Sequence, residues 1–300
     1  MKSIQEFGLF SENDTILKRK EKSIDNLMKD QDIIEVLSRL HLKREDIEEN
    51  WIEFLDYQED LKKCKLCKGI KDCTKVSIGM KQNMELGESG QILISLSPCR
   101  FGSQILENQR ILSHILLKNV SEELLLTTSS KIKDVATQDP QPTKIIMNYI
   151  QNPQSTGLYI YGRPGSGKSS LAGFIIRNLA KKEKRCGFIH FPTFLMDLKN
   201  SFGEEGNNET IELLKNLDYL VIDDIGGENV TNWSRDEILS STLAYRNQNN
   251  KVTFFTSQYS ISQLKSLYML KQGDKLRVER LLDRMKAVSQ EIVLKGSDLR

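Results

Sequence analysis

Between Ser23 and Tyr57 the apolar residues fall at helical intervals. Leu27, Ile34, Leu37 and Leu40 recur through one stretch, and Ile47, Trp51, Phe54 and Leu55 through the next. A repeat near 3.6 residues buries one face and leaves the other to water, so the spacing predicts two or three short amphipathic helices over residues 23–61. Residues 1–22 are polar, hold the basic run Lys18-Arg19-Lys20, and read as an arm or a short helix. Residues 104–134 lack sustained periodicity and run into Ser/Thr clusters, so they read as a connector. Beyond it the pattern changes. GLYIYG, CGFIHFP, DYLVIDDIG, VTFFTSQ and EIVLKG are short β runs, and each gap between them holds amphipathic helical sequence. Strands and helices alternating in this way predict an α/β domain with a parallel sheet over residues 135–300.

Composition narrows the class. Hydrophobic residues make up 38% and charged residues 28%, enough apolar surface for a sizeable core. No apolar run approaches the 18 or so residues of a membrane span, and the N-terminus lacks the apolar stretch of a signal peptide. Five cysteines in 300 residues do not make a disulfide scaffold. A cytoplasmic protein with no membrane partner is expected. The overall charge of +2 hides an asymmetry: residues 1–63 carry −5 and residues 140–300 carry +5. An acidic helical head is a plausible docking surface, although scatter explains the difference as simply.

Four of the five cysteines crowd into one stretch. Cys64 and Cys67 form a CxxC, Cys73 follows, and Cys99 closes the set. Two thiolates on a tight turn and two from a neighbouring strand or loop suit tetrahedral Zn²⁺. With no open position for water the metal would be structural, in a zinc module over about 64–99 closing an N-terminal domain 1–103. A redox CxxC would need a βαβ context that is absent here. Unpaired buried thiols remain the plainer reading.

The strongest motif is Gly162-Arg163-Pro164-Gly165-Ser166-Gly167-Lys168-Ser169, which matches GxxxxGK[ST] at every fixed position. It follows a predicted strand and opens a predicted helix, the context a phosphate-binding loop requires. Gly162, Gly165, Ser166, Gly167, Ser169 and Ser170 would surround the phosphates of ATP, helped by the helix dipole. Lys168 would reach the β- and γ-phosphates, and the Ser169 hydroxyl would bind Mg²⁺. The apolar run ending in Asp223 and Asp224 supplies the acids. Asp223 would hold Mg²⁺, and Asp224 would polarise the attacking water. No NKxD base-reading motif of a simple GTPase is present.

Taken together, Gly162–Ser169, the VIDDIG and FFTSQ strands and the ERLLDRM helix resemble the AAA+ ATPases of the helicase-loader and initiator group. The likeness is strong over 157–296 and looser before it, and the cysteine cluster points to the primosomal loaders within the group. The resemblance implies an N-terminal domain that binds the replicative DNA helicase and a C-terminal domain that binds ATP and single-stranded DNA. It places Gln258, in the triplet Thr256-Ser257-Gln258, where the family usually carries a sensor Asn. It matches Arg284 to an arginine finger supplied by a neighbouring subunit, with Arg280 as the competitor, and so implies self-association through the ATP site. A salt bridge to Asp283 or Glu279 is the structural alternative for either arginine. The basic cluster Lys181, Lys182, Lys184 and Arg185, with Lys199, Lys251, Lys265, Lys271 and Lys275 and the rings of Phe191, Phe194, Tyr259 and Tyr268, would suit a single-stranded DNA groove. A solvated helix face explains the cluster equally well. The function expected is ATP-dependent loading of a replicative helicase. The alternatives are an adaptor of the IstB transposition-helper type and a small-molecule kinase, although residues 197–217 offer acids and Asn where a kinase needs arginines.

Overall fold

The computed structural model describes residues 9–200 and 206–296. The first eight residues of the expected arm lie outside that range. The chain divides into two compact units, Met1–Glu107 and Asn108–Arg300.

The first unit contains helices Leu9–Leu27, Gln31–Leu40, Arg44–Glu49 and Trp51–Leu66, followed by an antiparallel hairpin of β1 (Met80–Leu86) and β2 (Ile92–Pro98). Much of the arm is therefore helix, continuous with the first periodic residues. Asp30 caps the second helix through its side chain, which accepts the Asp32 N–H at 3.0 Å. Ile24, Leu27, Ile33, Val36, Leu37, Ile47, Phe54 and Met84 form the core. Ile33 takes the buried place expected of Ile34, which is 36% exposed. The two adjacent isoleucines are about a hundred degrees apart on the helix, and spacing alone does not choose between them.

The second unit is α/β. Strands β3 (Ile115–Lys118), β4 (Gly157–Gly162), β5 (Cys186–His190), β6 (Tyr219–Ile225), β7 (Val252–Ser257) and β8 (Ser289–Leu294) form one sheet in the order β3-β5-β6-β7-β4-β8. Every pairing in it is parallel. Side chains alternate between its faces as the pleat requires. Leu158, Ile160, Val221 and Phe254 enter one core, against the helices Pro140–Gln151 and Lys168–Lys181. Tyr159, Leu220, Ile222 and Phe255 enter the other, against the helices Phe191–Asn200 and Lys275–Val288. Both faces are covered, which is why these strands are almost wholly apolar.

The segment expected as a connector is folded. Part of it is β3, paired with β5, and Ile111, Ile115, Leu125 and Ile132 join the core. Four residues, ILLK, are too few to show a period of two. Among the described residues no helix is long and apolar enough to cross a membrane.

Candidate functional site

The order of the sheet builds the site. β7 lies between β4, which leads into the glycine loop, and β6, which ends in the two acids, so all three C-terminal ends meet at one edge. The loop turns tightly there: Gly165 has φ 76 and Gly167 φ 86, a region open to glycine at little cost. Gly167 caps the helix Lys168–Lys181, whose first amides face the loop. Gly165, Gly167, Lys168, Ser169 and Ser170 line a cavity of about 350 Å³.

Contacts within the site join its two motifs. The Ser169 hydroxyl donates to Asp223 Oδ1 at 2.8 Å, and the Thr256 hydroxyl donates to the same oxygen at 2.5 Å. Thr256 Oγ1 in turn accepts the Asp224 N–H at 2.9 Å. Lys168 Nζ donates to the carbonyls of Gly162 at 3.0 Å and Arg163 at 2.8 Å. The Ser166 hydroxyl is buried without a hydrogen-bond partner. A buried hydroxyl in that condition is costly, and a phosphate oxygen in the loop would satisfy it. Burial raises the Asp223 carboxyl above its usual range, against the two hydroxyl bonds that lower it. A cation beside it would reverse that balance.

Asp224 is in a different environment. His190, at the end of β5, places Nε2 3.8 Å from Asp224 Oδ2, and its Nδ1 lies 2.8 Å from Thr193 Oγ1. Asn119 holds the His190 backbone from both sides, accepting its N–H at 2.7 Å and donating to its carbonyl at 3.2 Å. The imidazole holds the Asp224 carboxyl below its ordinary value, with Gln258 and Lys168 adding to the effect. In return Asp224 raises His190 above its ordinary 6.5. With Asp224 ionised, the stability this pair contributes is therefore full up to pH 6.5 and is lost as pH rises through the higher folded value of His190; on the acid side it is lost as pH falls through the lowered value of Asp224. An NMR titration should show the His190 ring titrating above the ordinary histidine value. The shift should disappear in Asp224→Asn, and a ring titrating below that value in the parent would refute the pairing.

Sequence reasoning did not single out His190, Asn119, or the cavity-lining Lys131, Asp134 and Val135. The Thr256 hydroxyl was visible only as the first member of the TSQ triplet. Arg284 does not line the cavity. It is half-buried on the helix Lys275–Val288, and its Nη1 donates to Ser240 Oγ at 2.6 Å and to the Ser240 carbonyl at 3.2 Å. Arg280, on the same helix, is exposed.

Two sets of residues depart from expectation. Phe191, Phe194 and Tyr268 are core side chains and offer no ring to a DNA base. Several of the basic residues are occupied: Lys182 bonds the Ile150 carbonyl, Lys251 pairs with Asp218 and Lys265 with Glu279.

In the first unit, Cys64, Cys67, Cys73 and Cys99 all line one cavity of about 300 Å³. Cys64 lies near the end of the helix Trp51–Leu66, Cys67 caps it, Cys73 follows a short 3-10 turn and Cys99 follows β2. Cys64 Sγ accepts the Lys75 ammonium at 3.3 Å and Cys99 Sγ accepts the Gly102 N–H at 3.4 Å. Backbone N–H groups of Gly79 and Lys75 lower the Cys73 thiol below its ordinary value. The Cys67 thiol donates to the Gly69 carbonyl at 3.1 Å. Among the described residues no group of three or more His, Cys, Asp or Glu is arranged to hold a metal ion. The donor chemistry suits a soft cation even so: four sulfurs around one cavity, two of them accepting N–H bonds and a third lowered by backbone amides.

A family model described as Nephrocystin 3, N-terminal, matches residues 141–220. Over 295 residues the chain is 28% identical to the replicative helicase loader DnaI of Bacillus subtilis (strain 168), covering 94% of each protein. The chain resembles DnaI over most of its length. A crystal structure of the DnaI superposes with a TM-score of 0.55 at 26% identity, covering 64% of this chain and all of the other. The replicative helicase loader DnaC of Escherichia coli (strain K12) is 28% identical over 127 residues, 42% of this chain and 48% of that one. The DnaI likeness thus includes the first unit, and the DnaC likeness is partial.

Proposed function

We propose that the chain is an ATP-dependent loader that docks on the replicative DNA helicase and helps place it on single-stranded DNA. One observation carries this reading: the likeness to DnaI runs through both units. An IstB-type adaptor has less behind it for the same reason. A small-molecule kinase is disfavoured because no arginine lines the phosphate cavity among the described residues.

In this reading the glycine loop and the first amides of the helix Lys168–Lys181 bind the phosphates of ATP. Lys168 leaves the Gly162 and Arg163 carbonyls for the phosphate oxygens, and Ser166 gains the partner it lacks. Ser169 and Asp223, already 2.8 Å apart, would hold Mg²⁺. When bound, Mg²⁺ offsets charge on the β- and γ-phosphates. Asp224 orients and deprotonates water, and Gln258 lies beside it as the sensor. An arginine from a neighbouring copy completes the site.

The four cysteines would hold one structural Zn²⁺. Metal analysis of the purified protein should find about one zinc per chain, the number that a single site with four thiolate ligands holds. Cys186→Ser should leave that content unchanged, because Cys186 is buried in β5 of the other unit. A folded protein that never contains metal would refute the assignment.

Co-purification with the host's replicative helicase, with and without ATP, tests the function. Retention of the helicase by the full chain supports the loader. Loss of retention after substitution of the Ser166–Ser169 loop alone would instead make docking a property of the nucleotide unit. No retention under any condition would overturn the reading. Single-stranded DNA binding, measured beside it, should weaken steeply with salt as phosphate contacts release counterions.

A further inference from the structure

The turn after β6 closes on a buried carboxylate that takes no part in the chemistry above. Asp224 has φ 60 and Gly226 φ 88, and the Gly227 N–H donates to the Asp224 carbonyl at 3.1 Å. A side chain at Gly226 would place its Cβ 2.8 Å from Leu264, so the turn is pressed against the helix Leu264–Tyr268. Beneath the turn lies Glu228, 8% exposed. Its Oε2 accepts the Gly226 N–H at 2.7 Å, and its Oε1 accepts the Tyr268 hydroxyl at 2.6 Å.

Tyr268 is itself fixed. It has no exposed surface, and its carbonyl accepts Arg235 Nη1 at 2.9 Å. Arg235 is equally buried and is paired with Asp236 at 2.7 Å and Asp274 at 2.9 Å. A run of buried and half-buried polar contacts therefore leads from these ion pairs, through Tyr268 and Glu228, to the backbone amide two residues beyond Asp224.

A buried carboxylate is retained at a cost unless its bonds do something that an apolar side chain would not. Here one of those bonds goes to the backbone of the turn. A non-glycine residue at positive φ stays there only while its surroundings hold it. We propose that Glu228, held by Tyr268, is a positioning residue for Asp224: it pins the turn that keeps the Asp224 carboxylate beside His190, Gln258 and the phosphate loop. This rests on the reading of Asp224 as the group that activates water. Neither Glu228 nor Tyr268 touches nucleotide in this scheme, and the loop that grips the phosphates is left as it is.

The test uses the full-length protein. Tyr268→Phe keeps the ring and removes only the hydroxyl that holds Glu228, so it is the decisive variant. It should lower kcat about tenfold, since small displacements of a reacting group carry penalties of that order or larger. ATP affinity should stay within about twofold of the parent, because the phosphate contacts are made elsewhere. Glu228→Ala should lower kcat further. Glu228→Gln, which keeps an acceptor for the Gly226 N–H, should recover much of the loss. Unchanged turnover in Tyr268→Phe overturns the proposal. So does a parallel fall of kcat, ATP affinity and unfolding temperature, which would mark Tyr268 as a packing residue only. Asp224→Asn is assayed beside them. If it turns over normally, the water-activating reading fails and takes this proposal with it. If it is inactive while Tyr268→Phe is normal, only the positioning role of Glu228 falls.

Discussion

Asp224→Asn should still bind ATP and should all but stop hydrolysing it. The substitution keeps the shape of the side chain and removes only the charge that draws a proton from water. A positioned general base contributes about 10²- to 10⁴-fold, and turnover should fall within that range. Asp223, with its two hydroxyl donors, is untouched, so magnesium-dependent binding should persist. Lys168→Ala should do the opposite and lose binding first. Lys168 is 8% exposed, and its ammonium is bonded to the Gly162 and Arg163 carbonyls of its own loop. Charge-assisted bonds are worth about 1.5–3 kcal/mol each, so ATP affinity should drop roughly a hundredfold. Equilibrium binding of a fluorescent ATP analogue beside steady-state turnover separates the two effects. Parental turnover in Asp224→Asn would move the base to another residue.

Arg284→Ala should bind ATP like the parent and lose turnover by about 10³-fold, the lower end for an arginine finger. Mixing it with Lys168→Ala should restore activity, because a hybrid site pairs an intact phosphate loop on one chain with an intact Arg284 on the other. In the single chain Arg284 is parked on Ser240, so reaching a neighbour means giving up those two bonds. Arg280, exposed on the same helix, is the control. Recovery with Arg284→Ala and parental activity in Arg280→Ala assign the finger to Arg284. The reverse pattern assigns it to Arg280. A mixture shown to co-assemble that stays inactive returns Arg284 to a structural role on the helix that it ties to Ser240.

The glycine loop and the acid pair were legible because each is contiguous and each sits where a strand ends. Local sequence suffices for such motifs. What it could not give was adjacency across the sheet. His190 meets Asp224 because β5 and β6 run parallel, with His190 in register with Asp223. Thr256 reaches Asp223 because β7 is inserted between β6 and β4. Nothing in the residues near position 190 announces either. Tyr268, by sequence a candidate ring for a single-stranded DNA groove, is wholly buried with its hydroxyl on Glu228. An aromatic in a short helix carries no periodic signal that separates the two states.

Strand β3 bears on where the chain can be cut. It is the outermost strand on one side of the sheet, and it covers β5: the Cys186 N–H bonds the His114 carbonyl at 2.9 Å, and Leu117 lies opposite Gly187. A fragment beginning at residue 135 would remove that cover. The backbone of Cys186–His190 would become a bare edge, rich in apolar residues and open to pairing with the same edge of another molecule. Aggregation of such a fragment would then reflect where the cut was made, and a fragment starting at Asn108 would keep the edge closed.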